Sequence, residues 1–183
     1  MKYILYIVAF LAIISWTRAH EDFVYDWAQH KDGEELYTSL KDETQDIFVL
    51  YWYKPVEGND ALKKKNEELR DKIKKDVLSN HPDIVYSEIN MAEDGKEDKY
   101  KKLIQEIMQL KLDELEKGPI ISVVNNGEGA WIHGDGTLKE VTESIDIFIH
   151  EANDRKKGGT GYVYGSDKAR KDGSISVGGG SSY

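Results

Sequence analysis

Residues 118–134, GPIISVVNNGEGAWIHG, constrain the fold of this chain more than any other stretch, because they specify a complete antiparallel hairpin. Ile120, Ile121, Val123 and Val124 make a β-branched run too short for a helix. Ala130, Trp131, Ile132 and His133 make a second run in which Trp131 and His133 share one face. Between them, Asn125, Asn126, Gly127 and Gly129 reach positive φ at little cost, which predicts a tight turn with a bulge. Pro119 cannot donate a ladder hydrogen bond, so it belongs at the start of the first strand.

The chain before and after this hairpin alternates between the two periodicities. Residues 23–27 form a short strand candidate, and Asp32 followed by Glu35 marks a helix start that turns Leu36 and Leu40 inward. Ile47 to Tyr53, IFVLYWY, is apolar and aromatic without alternation, the pattern of a central strand covered on both faces. Lys54-Pro55 ends it. Glu57, Gly58, Asn59 and Asp60 supply a turn and a cap for a helix reaching about residue 79, with Leu62, Leu69, Ile73 and Val77 on one face. Pro82 breaks that helix, and residues 84–89, IVYSEI, form the next strand. After an acidic loop, Tyr100, Leu103, Ile104, Ile107 and Met108 keep helical spacing, which Leu110, Leu112 and Leu115 extend toward Gly118. Following the hairpin, Thr137 and Glu140 stand in capping-box spacing ahead of Leu138, Val141, Ile145, Phe148 and Ile149, on a helix that ends near Asn153. The resulting order, βαβαβαββα, predicts an α/β domain with a central mixed sheet flanked by helices on both faces, because right-handed parallel crossovers cover the sheet.

A proline opening a short hydrophobic strand, an Asn-Gly hairpin, a closing strand ending in Gly134 and a terminal amphipathic helix together resemble the C-terminal half of thioredoxin. Gly118-Pro119-Ile120 looks like that family's cis-proline loop and Asn126-Gly127-Glu128 like its hairpin turn, and the resemblance spans residues 21–152. It implies a thioredoxin-like fold, a cis bond at Gly118–Pro119, and a partner-binding groove formed by the proline loop and the start of the second helix. On this chain that groove takes Trp52, Tyr53, Pro55, Val56, Pro119 and Trp131. The family's redox site is a Cys-x-x-Cys at the start of the second helix, where the helix N-terminus lowers the first thiol's pKa. This chain contains no cysteine. Val56-Glu57-Gly58-Asn59 occupies the corresponding positions, and Leu50 stands where the family carries a buried acid. Thiol–disulfide exchange, peroxidase and isomerase chemistry all need a sulfur nucleophile, so the sequence excludes them.

The two ends differ from the domain. Residues 1–19 have the layout of a secretory signal peptide: one lysine, an apolar run, then Thr17-Arg18-Ala19. The apolar run, of about 14 residues, is short of the ~20 that a membrane-spanning helix needs, so cleavage is expected and an uncleaved anchor is the alternative. Residues 155–183 carry 8 Gly and 5 Ser among 29 positions with almost no aliphatics, the composition of a disordered tail. Within that tail, Tyr162-Val163-Tyr164 and Ser174-Ile175-Ser176-Val177 are β-capable islands suited to adding to a neighbour's sheet edge. The expected division is therefore a signal peptide at 1–19, a domain at 20–154 and a tail at 155–183.

Charge narrows the partners. Residues 20–154 hold 17 Lys and Arg against 32 Asp and Glu, a net of −15, whereas residues 155–183 hold 6 against 2, a net of +4. An acidic domain repels phosphates, which disfavours nucleic acid. The histidines at 20, 30, 81, 133 and 150 show no His-x-x-x-His spacing, and no catalytic or metal constellation is legible. An EF-hand starting near Asn90 fails, because Ala92 occupies a ligand position and Lys101 stands where the bidentate Glu belongs. The sequence thus points to a non-catalytic binding or assembly protein of the secretory pathway or extracellular space, without a cofactor, acting on a protein partner or on itself. The alternatives are diffuse low-affinity Ca2+ binding of the calsequestrin kind, and a structural subunit of an extracellular or ciliary-type assembly that uses its tail.

Overall fold

A computed structural model describes residues 26–27, 29–41, 46–93, 95–157 and 169–177. Its elements in chain order are β1 (Asp26–Trp27), α1 (Gly33–Lys41), β2 (Ile47–Tyr53), α2 (Asp60–Lys72), β3 (Ile84–Asn90), α3 (Lys96–Lys101), β4 (Ile120–Asn125), β5 (Glu128–His133), α4 (Leu138–Lys156) and β6 (Gly173–Ser176). The strands form one six-stranded sheet in the order β1-β3-β2-β4-β5-β6. β1 and β2 run parallel to β3, whereas β4 is antiparallel to β2, β5 to β4 and β6 to β5. The expected mixed α/β sheet with helices on both faces is present. The expected signal segment at 1–19, residues 23–25 and the Tyr162–Tyr164 island lie outside the described residues.

β2 is the axis of the sheet, paired along its length with both β3 and β4, and six of its seven residues are buried. Its alternate side chains feed two separate cores. Phe48, Leu50 and Trp52 pack under α1, α3 and their extensions with Leu36, Leu40, Tyr100, Leu103 and Leu115. Val49 and Tyr51 pack on the other side, under α2 and α4, with Leu69, Ile73, Ile145 and Phe148. The absence of alternation in IFVLYWY is the direct consequence of burial on both faces.

The caps form where side-chain chemistry places them. Asn59 Oδ1 accepts from the Leu62 amide at 3.1 Å, and Thr137 Oγ1 accepts from the Glu140 amide at 3.2 Å, each satisfying an amide that the first helical turn leaves open. The hairpin turn is tighter than expected. Asn126 and Gly127 take φ of 49° and 72°, the two positive values of a two-residue hairpin turn. The register then runs unbroken from Asn125↔Glu128 to Ile120↔His133, so no bulge forms.

Four expectations are corrected. The helix expected to carry Leu110, Leu112 and Leu115 toward Gly118 does not continue that far. After a π-type segment, Lys102–Ile107, the chain adopts φ of 56° at Gln109 and resumes as a separate 3-10 turn, Leu112–Glu116. The amides of Met108 and Leu110 bond back to the carbonyls of Leu103 and Ile104, which closes the helix end.

The Gly118–Pro119 bond is trans, since the described residues contain no cis peptide bond. The trans form is the lower-energy isomer by about 0.5–1 kcal/mol. The reversal into β4 is made upstream, by the 3-10 turn closed by Lys117 N–H donating to the Glu114 carbonyl at 3.0 Å. Pro119 itself is buried and begins the strand as expected.

The helix after the hairpin runs on to Lys156, past the expected boundary at residue 154. The tail is also not disordered throughout, because Gly173–Ser176 adds to β5 of its own chain. Ile175 and Val177 bury in the same core as Trp52 and Leu36. A segment tethered to its own sheet edge competes at an effective concentration in the millimolar range, which favours pairing within the chain over pairing with a neighbour.

Candidate functional site

The C-terminal end of β2 opens into a cavity of about 500 Å3. The Pro55–Asn59 turn forms its lip and the first turns of α2 form one wall. Tyr51, Tyr53 and Leu62 supply apolar surface, while Asn66, Arg70 and Asn90 supply polar groups. This is where open α/β sheets place ligands, outside the carboxyl ends of the parallel strands and beside the strand where direction changes, here between parallel β3 and antiparallel β4.

The Tyr51 hydroxyl donates to the Asn66 carbonyl at 2.9 Å. Burial pushes its pKa far above the ordinary phenol value, and the nearby Arg70 only partly offsets this. Tyr53 is likewise raised, first by burial and then by Glu88. Both phenols remain protonated at any physiological pH and serve as hydrogen-bonding groups with aromatic faces. Their rings lie 5.8 Å apart at 50°.

Glu88 on β3 is the counter-charge beneath this wall. Its Oε1 lies 2.6 Å from Lys74 Nζ and accepts from the Tyr86 hydroxyl at 3.1 Å, and its Oε2 lies 3.6 Å from Arg70 Nη1. Burial lowers the Arg70 pKa, but Glu88 and Asp71 outweigh it and hold the guanidinium charged. Among the described residues Arg70 Nε and Asn66 Oδ1 have no hydrogen-bond partner, one donor and one acceptor beside the same cavity. The site therefore offers an aromatic wall, the amide side chains of Asn59, Asn66 and Asn90, and the charged side chains of Glu57, Asp60, Lys63, Glu67 and Arg70. It offers no sulfur nucleophile.

The six expected groove residues do not converge. Tyr53, Pro55 and Val56 line the cavity, and Val56 is the large apolar side chain that stands most exposed among the described residues. Trp52 is fully buried on the opposite face of the sheet, where its indole Nε1 donates to Ser122 Oγ at 3.2 Å. Trp131 packs partly buried against that same core, under Gly173 of β6. Pro119 is buried against Gly134 and does not line the cavity. Trp52 and Tyr53 are neighbours in one strand, so the two-residue period sends them to opposite faces. Tyr51, two residues before Tyr53, satisfies the same rule and belongs with it. Asn66 and Arg70 at i and i+4 on α2 were the remaining legible signal.

No protein-family model matches the chain, and no curated protein is significantly similar to it. The functional reading therefore rests on the residues and geometry alone. Among the described residues no set of three carboxylates converges on a point that a single cation could occupy.

Proposed function

We propose that this chain is a non-catalytic, thioredoxin-like binding domain of the secretory pathway or extracellular space, and that it holds a segment of a protein partner in the cavity at the end of β2. The observation that carries the reading is the cavity itself, set at the β2–α2 turn where the thioredoxin resemblance puts its working site. In place of two cysteines this turn presents Val56 and Asn59. Support comes also from the element order through α4, which follows the βαβαβαββα pattern of the resemblance. The contact surface proposed is Tyr51, Tyr53, Pro55, Val56, Asn66 and Arg70, without Trp52, Trp131 or Pro119.

The test is a peptide-array screen with the purified chain, followed by amide chemical-shift mapping of the best binder. Shifts centred on residues 53–66 that vanish in Val56→Asp support the reading. Binding that maps elsewhere, or that survives Val56→Asp unchanged, overturns it. Turnover of a disulfide substrate by the pure protein would contradict the non-catalytic part.

A further inference from the structure

Away from this cavity, the fold brings His81 together with two side chains of α4 more than sixty positions further along the chain. His81 leads into β3, and Asp146 and His150 stand one turn apart on α4. Each offers a ligand atom, and the three atoms lie within 4.8 Å of one another. We infer that His81, Asp146 and His150 form a binding site for a divalent transition-metal ion of the zinc class.

The donor set is two imidazole nitrogens and one carboxylate oxygen, which suits Zn2+ or Co2+ and not the all-oxygen preference of Ca2+ or Mg2+. His81 Nε2 already lies 2.7 Å from Asp146 Oδ1, and His150 Nδ1 lies 3.5 Å from Asp146 Oδ2. Tetrahedral zinc with bonds of about 2.0–2.1 Å needs ligand atoms about 3.3 Å apart. His81 and Asp146 are already in place, and His150 must release the hydrogen bond from its Nδ1 to the Asp146 carbonyl oxygen and turn its ring to bring a free nitrogen to the metal.

The frame is rigid on the side that matters. The His81 side chain is only 9% exposed, and its backbone is fixed by its own N–H bonding to the Leu78 carbonyl and its carbonyl accepting from Ile84 N–H. Asp146 is carried on α4 between Ile145 and Phe148, both fully buried. His150, with its side chain 65% exposed, is the adjustable ligand. Its ring meets His81 edge-on at 5.1 Å between centroids, and its Nδ1 lies 2.9 Å from the Asp146 carbonyl oxygen. A purely structural His81–Asp146 hydrogen bond would tie β3 to α4 without the second imidazole. Three protein ligands leave coordination positions for water or an outside ligand, and a cavity of about 400 Å3 adjoins Asp146.

The test uses the full chain without an affinity tag, with Co2+ as the spectroscopic probe and Zn2+ as competitor. The expected result is a visible Co2+ absorption that saturates at one equivalent and is displaced by Zn2+, with a Tm that rises with Zn2+ concentration. His150→Ala removes an exposed ligand, so the fold is kept while affinity falls by at least the ~10–100-fold that loss of an outer partner costs. Asp146→Asn should weaken binding as well. Absence of saturable binding near one equivalent, or undiminished affinity in His150→Ala with a native circular-dichroism spectrum, overturns the assignment.

Discussion

Arg170 Nη2 lies 2.7 Å from Asp135 Oδ1, so a residue from the Gly- and Ser-rich tail closes onto the loop between β5 and α4. The same guanidinium reaches both carboxylate oxygens of Asp172, at 3.1 and 3.0 Å, and the Asp172 carboxylate accepts from the His133 amide at 2.8 Å. The Arg170 amide donates to Ser144 Oγ at 3.2 Å. This network steers the chain into register with Trp131 before β6 begins.

Arg170→Ala is therefore expected to loosen β6 without unfolding the sheet. The pairs are partly solvent-exposed, so the global cost should be no more than ~1 kcal/mol. Hydrogen exchange at the amides of residues 174–177 should accelerate, while exchange in β2 and β4 stays slow. Equal acceleration in β2 would show that β6 is integral to the cooperative core.

Acid should weaken the same contact. Burial raises the Asp135 pKa, but the hydrogen bond and charge of Arg170, together with His133, outweigh it and hold the carboxyl below its ordinary 3.8. Since the folded value is the lower one, the stabilisation is complete above pH 3.8 and is lost as pH falls through the folded value. His30 gives a second window. Burial depresses its pKa below 6.5 against the opposing pull of Glu35, and among the described residues its Nδ1 has no hydrogen-bond partner. Its contribution is complete above pH 6.5 and declines as pH falls through the depressed value. Stability measured by urea unfolding should drop in two stages on acidification, and His30→Gln should remove the upper one.

Ser122→Ala deletes the acceptor of the Trp52 indole. Both residues are fully buried, so the orphaned N–H should cost about 1–3 kcal/mol in chemical denaturation. A loss below the measurement error would mean that the indole finds another acceptor.

Gly127→Ala tests the turn. Gly127 has φ of 72°, and a Cβ there would overlap the Val177 carbonyl that follows β6. The substitution should destabilise by at least ~1 kcal/mol and release β6 as well as strain the hairpin. Asn126→Gly, which keeps the positive φ, should be nearly neutral.

The sequence by itself determined what depends on neighbours along the chain. The order of elements through α4, the Asn126-Gly127 turn, the Asn59 and Thr137 caps and the central position of Ile47–Tyr53 all follow from periodicity and turn chemistry. It also excluded thiol chemistry, because a missing atom needs no fold to be missing. Only the tertiary structure decided what depends on distant contacts. Gln109 breaks a helix that the leucine spacing alone would continue. The trans bond at Pro119 is set by the turn ahead of it. Composition marked residues 173–176 as tail, yet Ile175 and Val177 find an apolar core and an unpaired β5 edge that compensate for their ordering. The expected groove separated for a reason the strand period already contained, since Trp52 and Tyr53 cannot face the same way. His81 and His150 are 69 positions apart in the chain, and no local pattern links them. They meet because α4 packs against the Ile73–Val77 segment that runs just ahead of His81, and packing is a property of the fold.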